Sequence, residues 1–586
     1  MRATTPWHRP GAVGYALARV RGILRPPVTV HPPGDHLRAD RDVPIEMPDG
    51  VVLRANVYRG TGEAPTPVIL CAHPYGKDVM PVNSRSGRRL NFQFRMLRQP
   101  APVRISAETS WEAPDPDWWT SQGYAVVNLD VRGAGTSGGR GAVLSDQEAD
   151  DIRAVVDWIA DQPWCDGNVG MLGVSYLAIS QYKVAALQPT ALRAIVPWEG
   201  FTDAYRDLFY PGGVREIGFS RIWTTITRRT TRQTVDIGAR ARARSLDDEW
   251  WRSLAPDLER ILVPMLVCGS FSDNNLHSRG SMRAFAHASS AERHLYTHRG
   301  GKWTTFSGHD ARAAQKAFLD RHLKRADIPA LPPVRLEIRD RGDHVVEIRD
   351  EQEWPLARTQ WTTLALTERD GNRVLTASDV VDGWATFAAR RRALSFRHVF
   401  ERDTEVTGPM SAQLCISRTG GHDLPLFVAV SKESGGRFVP FEGSYGFGRD
   451  FVTTGWQDGR FRDQTNTDPH IPDHDYRARR PVHPGEIVKV RIELGPSATL
   501  FRAGEALVFH VSGRQLSPRN PLTGAFPALY RSCSRGTRYT VHWSRENPSH
   551  LVIPIIPAPH VTNGSDSATS RTAAPIGRAR ASRNGS

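Results

Sequence analysis

The sequence predicts an α/β domain interrupted by a helical insertion and followed by an all-β domain, and three observations carry that prediction. Strand-like apolar runs alternate with helix-compatible segments from Asp42 to Thr297. The alternation lapses between Phe201 and Asp257, a span rich in Arg and Trp without strand signal, which reads as a helical cap. After about Leu331, short runs of period-two alternation are separated by Pro/Gly turns, the pattern of an all-β sandwich.

The elements justify themselves in order. Val43–Met47 and Val51–Tyr58 flank the turn Pro48-Asp49-Gly50, as a hairpin requires. Pro67–Ala72, Tyr124–Asp130, Leu192–Pro197, Met265–Cys268 and His294–Thr297 are nearly continuous apolar runs, expected of parallel strands buried on both faces. Ile152, Val155, Val156 and Ile159 fall at helical spacing and predict an amphipathic helix. Val488–Leu494 and Leu507–Val511 are strands of the later β domain. The resulting division is an extension over 1–40, an α/β domain over 41–200 and 258–330, a cap over 201–257, a β domain over 331–557 and a disordered tail over 558–586.

Composition narrows the class. At 586 residues the chain exceeds one core, and 39% hydrophobic with 24% charged residues is ordinary for a globular protein. The formal charge of +14 could signal an acidic partner, but the arginines are interleaved with acids along most of the chain. Local excesses occur at Arg215–Arg244, with eight arginines, and around Arg571, Arg578, Arg580 and Arg583, without a nucleic-acid-binding signature. Neither nucleic acid nor membrane is expected as a partner, since no run of about 18 apolar residues exists. Cys71, Cys165, Cys268, Cys415 and Cys533 form no close pairs and read as buried thiols of a cytoplasmic protein. His470, Asp473 and His474 have a spacing seen in metal sites but no further cluster, so neither a metal nor a cofactor is expected.

The segment Asn168–Ala178 carries the chemistry. A strand leads to Gly173-Val174-Ser175-Tyr176, and the helix-compatible Ala178–Leu187 follows at once. That is the grammar of a nucleophile elbow, which pushes a serine out on strained backbone beside free helix N–H groups. Leu177 stands where the motif has its second glycine. Such a serine needs a base and an acid, in an α/β-hydrolase supplied after later strands in the order Ser, Asp, His. Asp273 follows the strand Met265–Cys268, and His298 ends the strand beginning at His294. A strand end fixes a base well, so His298 is the expected one; His309, before a helix, and His277 are the alternatives. Asp130 and Arg132 are expected to anchor loops near the elbow, and Trp111, Trp118, Trp119 and Trp223 to pack or to line an acyl pocket.

Six ordered pieces also resemble the cocaine-esterase-like (CocE/NonD) acyl hydrolases, grouped with X-Pro dipeptidyl-peptidases and α-amino-acid ester hydrolases. They are His73-Pro74-Tyr75-Gly76-Lys77, Asp130–Gly139, Gln162–Gly167, Gly173–Tyr176, Ser272–His277 and Asp403–Pro409. The resemblance implies an α/β-hydrolase fold with an inserted helical cap and a C-terminal jelly roll. It implies Ser175 as nucleophile, Asp273 as orienting acid, and an oxyanion hole made of the Tyr176 N–H and the Tyr75 hydroxyl. It implies cleavage of a small-molecule acyl ester, with an X-Pro peptidase as the alternative. Many relatives carry Gly-Pro-Trp-x-His; here Lys302 replaces the proline and Thr305 the histidine. A non-catalytic binding protein is the reading of another class, which the Ser, Asp and His set opposes.

Overall fold

The computed structural model describes residues 17, 20–84, 87–96, 102–446, 448–516 and 526–557. The expected C-terminal tail and most of residues 1–20 lie outside that range. Ten strands build the larger sheet: β1 (Leu37–Glu46), β2 (Val52–Gly60), β3 (Thr66–His73), β4 (Ala125–Asp130), β5 (Cys165–Val174), β6 (Leu192–Trp198), β7 (Met265–Ser270), β8 (Arg293–His298), β9 (Val334–Arg341) and β10 (His344–Glu351). Their spatial order is β1-β2-β4-β3-β5-β6-β7-β8-β9-β10. The first two strands and β10 are antiparallel to their neighbours, and all pairings from β4 to β9 are parallel. This is an α/β-hydrolase-like sheet.

Period-two alternation assigns side chains to two cores. Ile69, Cys71, Leu172 and Val174 enter the core on one face, while Val68, Leu70, Val169 and Met171 enter the core on the other. Helix α1 (Asp146–Ala160) starts at Ser145, whose hydroxyl accepts the N–H of Glu148, and buries Ile152, Val155, Val156 and Ile159. Helix α2 (Tyr176–Ala186) follows β5 without a connecting residue other than Ser175. Between β6 and β7 the chain is helical: a turn at Ala204–Phe209, then α3 (Phe219–Thr230), α4 (Ile237–Ala243) and α5 (Glu249–Leu254). Helices α6 (Ser278–His287), α7 (Lys302–Phe306) and α8 (His309–Leu323) complete the α/β part.

Two expectations change. Part of the segment read as an N-terminal extension, loose or packed late, is ordered: Val28–His31 pairs in parallel with Val103–Ser106, and β1 begins at Leu37. Its alternating β-branched residues sit between prolines and need a partner remote in sequence, so the local text conceals them. The larger sheet also runs past Leu331, because Val334 and Arg335 of β9 pair with Leu295 and Tyr296 of β8. Beyond β10, antiparallel strands such as Thr404–Thr419, Val488–Phe501 and Ala506–Ser512 wrap a third core containing Leu414, Ile492, Phe509 and Trp543. This C-terminal domain packs on the helical insertion through Val214, Phe427, Trp456 and Tyr530.

Candidate active site

Ser175 connects β5 to α2 with φ 59° and ψ −115°, a left-handed backbone that a non-glycine residue holds only under constraint. The constraint is visible in the packing. Ser175 donates its N–H to the Trp198 carbonyl at 3.0 Å, and its carbonyl accepts the N–H groups of Ala178 and Ile179. A Cβ on Gly173 would lie 2.4 Å from the Leu177 Cβ, so the first glycine of the elbow is needed because leucine occupies the second position. Asp130 and Arg132 do anchor the neighbouring loops: the Asp130 carboxylate accepts the N–H groups of Lys77 and Thr136, and Arg132 pairs with Asp49 and Asp151.

The Ser175 hydroxyl faces a cavity of about 430 Å³. Its walls are aromatic and aliphatic, from Trp111 and Phe201 of the α/β part, Phe219, Ile222, Trp223 and Ile226 of α3, and Phe526 of the C-terminal domain. The α3 residues fall on one helical stripe, whereas Arg221, Arg228 and Arg229 on the same helix are exposed. The arginines of α3 therefore lie toward solvent, and the face that α3 turns to the cavity is apolar. Trp118 and Trp119 pack elsewhere, against each other and Tyr124.

Among the described residues, the imidazole bonded to Ser175 is that of His277, with Oγ to Nε2 at 3.2 Å. His277 immediately precedes α6 and is fixed by its N–H, which donates to the Asp273 carbonyl at 3.1 Å, and by Phe201, stacked on its ring at 6.0 Å and 16°. Burial, helped by the Lys302 charge, pushes its pKa well below the usual imidazole value, so the ring is neutral and can accept a proton. Its Nδ1 is buried without a hydrogen-bond partner among the described residues.

The structure places His298 elsewhere. Its Nε2 lies 3.1 Å from Glu199 Oε1, and its ring stacks on Trp198. The reason is the sheet order: β8 stands three strands from β5, roughly 14 Å at about 4.8 Å per strand, and no loop carries His298 back. His309 is farther from the chemistry, with a side chain 95% exposed beside Asp310. Asp273 is buried, but its carboxylate is turned to Tyr445, whose hydroxyl donates to Oδ2 at 2.8 Å, and to Lys302 at 3.6 Å. It reaches His277 through its backbone carbonyl instead. Burial raises the Asp273 pKa to about 6 despite Lys302.

A buried charge network thus underlies the site. Lys302 Nζ lies 3.3 Å from Glu199 and 3.6 Å from Asp273. Burial favours neutral Lys302, yet the charges of Glu199 and Asp273 outweigh it and raise its pKa. Burial likewise opposes ionised Glu199, but Lys302 and His298 hold its pKa below the ordinary carboxylate value. Ser444 ties the C-terminal domain in: its carbonyl accepts the Lys302 N–H and its own N–H donates to Ser272 Oγ.

Tyr75 lies in the loop after β3 and lines the cavity, its ring edge-on to that of Tyr176 at 6.1 Å. Its oxygen accepts the indole N–H of Trp223 at 3.0 Å, leaving its own O–H available to the cavity. Burial raises its pKa well above the usual phenol value, which keeps the proton on. The Tyr176 hydroxyl is engaged with Glu148, so this residue offers the cavity only its backbone N–H. Of the tryptophans named from the sequence, Trp111 and Trp223 line the cavity; sequence reasoning missed Glu112, Glu199, Lys302 and Tyr445. For Lys302 the departure from Gly-Pro-Trp-x-His was a usable signal; the others carry no local motif.

The chain is similar to known hydrolases over most of its length. Residues 49–302 match the X-Pro dipeptidyl-peptidase (S15 family) profile, and residues 327–552 match the X-Pro dipeptidyl-peptidase C-terminal non-catalytic domain. A cocaine esterase of Rhodococcus sp. (strain MB1 Bresler) is 26% identical over 88% of this chain and 98% of its own length. The crystal structure of a CocE/NonD family hydrolase from Staphylococcus aureus superposes with a TM-score of 0.83 at 30% identity, covering 89% of this chain and 94% of that one. An α-amino acid ester hydrolase, 17% identical, shares the fold with a TM-score of 0.64 over 89% of this chain and 97% of its own.

Proposed function

The chain belongs to the CocE/NonD family of hydrolases, and from that premise we propose that Ser175 is its nucleophile and His277 its general base. It is a serine hydrolase acting on acyl esters. The observation that carries the assignment is the 3.2 Å contact between Ser175 Oγ and a buried, neutral imidazole at the floor of an apolar cavity. Ser175 attacks the ester carbonyl while its proton passes to His277 Nε2; the Tyr176 N–H and the Tyr75 hydroxyl hold the oxyanion. Collapse returns that proton to the leaving alcohol and leaves an acyl group on Ser175. Water, deprotonated by His277, then releases the acid. Asp273 is a positioning residue, holding the His277 loop through its carbonyl and balancing Lys302 through its carboxylate.

The cavity suits esters of bulky apolar or aromatic groups, which supplies the substrate class: small-molecule acyl esters. Release of X-Pro dipeptides is the second reading, favoured by the S15 profile. A cap over 201–257 and a jelly-roll form for the C-terminal domain are supported by the helices between β6 and β7 and the antiparallel C-terminal core, while β9 and β10 carry the α/β sheet past the expected limit at 330. Five cysteines buried as free thiols favour a cytoplasmic location.

Intact-mass measurement of protein mixed with a slowly deacylating aromatic ester tests the assignment. An acyl adduct is expected on wild type and none on Ser175→Ala, with turnover of that variant down by at least about a thousandfold. An undiminished Ser175→Ala variant would overturn it. Faster cleavage of an X-Pro-p-nitroanilide than of p-nitrophenyl esters would select the peptidase reading.

A further inference from the structure

The oxyanion cleft holds a carboxyl group that the mechanism above does not use. Glu112 lies on the wall of the cavity and is 6% exposed. Its backbone is left-handed, φ 64°, and its carbonyl accepts the N–H of Val174, the residue before the nucleophile, at 3.0 Å. The strained backbone therefore fixes Glu112 to the elbow strand. Its carboxyl faces the Tyr176 N–H and the Ser175 hydroxyl, and its Oε2 is buried without a hydrogen-bond partner among the described residues. The Tyr176 N–H is the donor that a substrate carbonyl oxygen must reach, so the carboxyl competes with the substrate for it.

Resting on the assignment of Ser175, we propose that Glu112 is a further catalytic residue: as a neutral acid it donates its O–H to the developing oxyanion, and as a carboxylate it closes the hole. The proton stays on Glu112 throughout. The substrate oxygen displaces the carboxyl oxygen from the Tyr176 N–H, and the acid's O–H turns to it as a third donor beside Tyr176 and Tyr75. An ionised Glu112 would instead set a full negative charge against the oxyanion in a dry cavity.

The surroundings favour the neutral form. Burial raises the Glu112 pKa to about 8, although Lys302 opposes the shift, as do the bonds from Tyr176, Ser175 and Trp111. The other ionisable groups facing the acid are Tyr75 and Tyr445, both held protonated by burial, and His277, which shares Ser175 and is held neutral. Lys302 is thus the charged group facing it among the described residues, and its charge is divided with Glu199 and Asp273. Around neutral pH the acid keeps its proton and the hole is open.

The test is the pH profile of kcat/KM for an alkyl ester, followed by pH-stat, in wild type, Glu112→Gln and Glu112→Ala. With a pKa of about 8, wild type falls about tenfold between pH 7 and pH 9. Glu112→Gln keeps a neutral donor of the same shape: it loses severalfold at pH 6.5 and shows no alkaline fall. Glu112→Ala loses on the order of 10²-fold at pH 6.5, the usual cost of one oxyanion donor. An alkaline fall that persists unchanged in Glu112→Gln, or an alanine variant as active as wild type at pH 6.5, overturns the proposal. Labelling by a fluorophosphonate separates the two levels. Wild type that is not labelled at Ser175 defeats the assignment of the nucleophile, whereas labelled wild type with an unaltered Glu112→Gln profile defeats this inference alone.

Discussion

His277→Ala is the perturbation that bears most directly on the catalytic assignment. It removes the imidazole bonded to Ser175 at 3.2 Å and leaves the His298, Glu199 and Lys302 cluster intact. No other base replaces it: the Glu112 carboxyl that touches the hydroxyl is protonated below about pH 8. Loss of a base acting as a unit with its serine lowers kcat by about 10⁴- to 10⁶-fold, equivalent to about 5–8 kcal/mol of transition-state stabilisation. The assay is steady-state hydrolysis of p-nitrophenyl butyrate at pH 7, with thermal melting to show that the variant is folded. His298→Ala is the control and is expected to stay within about tenfold, because it perturbs a buried pair rather than the nucleophile. The pH dependence sharpens the test. Burial and Lys302 put the folded His277 pKa well below 6.5, so the ring remains an unprotonated base as pH falls through 6.5 and activity is flat there. An active His277→Ala with a dead His298→Ala, or a wild-type acid limb centred near 6.5, would refute the reasoning.

Two further outcomes follow from the cavity. Tyr75→Phe removes an oxyanion donor and keeps the ring against Tyr176, so kcat is expected to fall on the order of 10²-fold with KM little changed in the same ester assay. Ile226→Trp places an indole on the cavity face of α3; kcat/KM for a long-chain or aromatic ester is expected to drop about tenfold or more while that for the acetate ester changes less than about threefold. Equal losses on both esters would mean that α3 does not bound the acyl group.

What the sequence made legible was local. Gly173-Val174-Ser175 announced the elbow because a strand, a small residue and a helix start are contiguous, and Ile152 to Ile159 announced α1 through their spacing. Val28–His31 stayed hidden because its strand exists only by pairing with Val103–Ser106. The cavity was legible only as a choice of tryptophans, of which Trp111 and Trp223 line it and Trp118 and Trp119 do not; Tyr445 and Phe526 come from other regions of the chain and share that surface only after folding. The C-terminal domain illustrates the consequence, since Tyr445 donates to Asp273 from 172 residues away.

The place proposed for the base, at His277, is consistent with the charges around it. Relatives with a histidine two residues after the tryptophan would set an imidazole beside the acid; here that place is Thr305, and Lys302 stands in the position of their proline. Lys302 already lies 3.6 Å from Asp273 and 3.3 Å from Glu199, and His298 takes the other oxygen of Glu199. Both oxygens of Glu199 are thus taken in a buried site, one by Lys302 and one by His298. A base can persist only where it stays neutral between turnovers, on the apolar side of the nucleophile. His277 meets that condition, with Phe201 stacked against it and Lys302 disfavouring its protonation. The charge of Lys302 therefore acts at two places: it keeps Asp273 and Glu199 satisfied beneath the site, and it holds the base unprotonated above them.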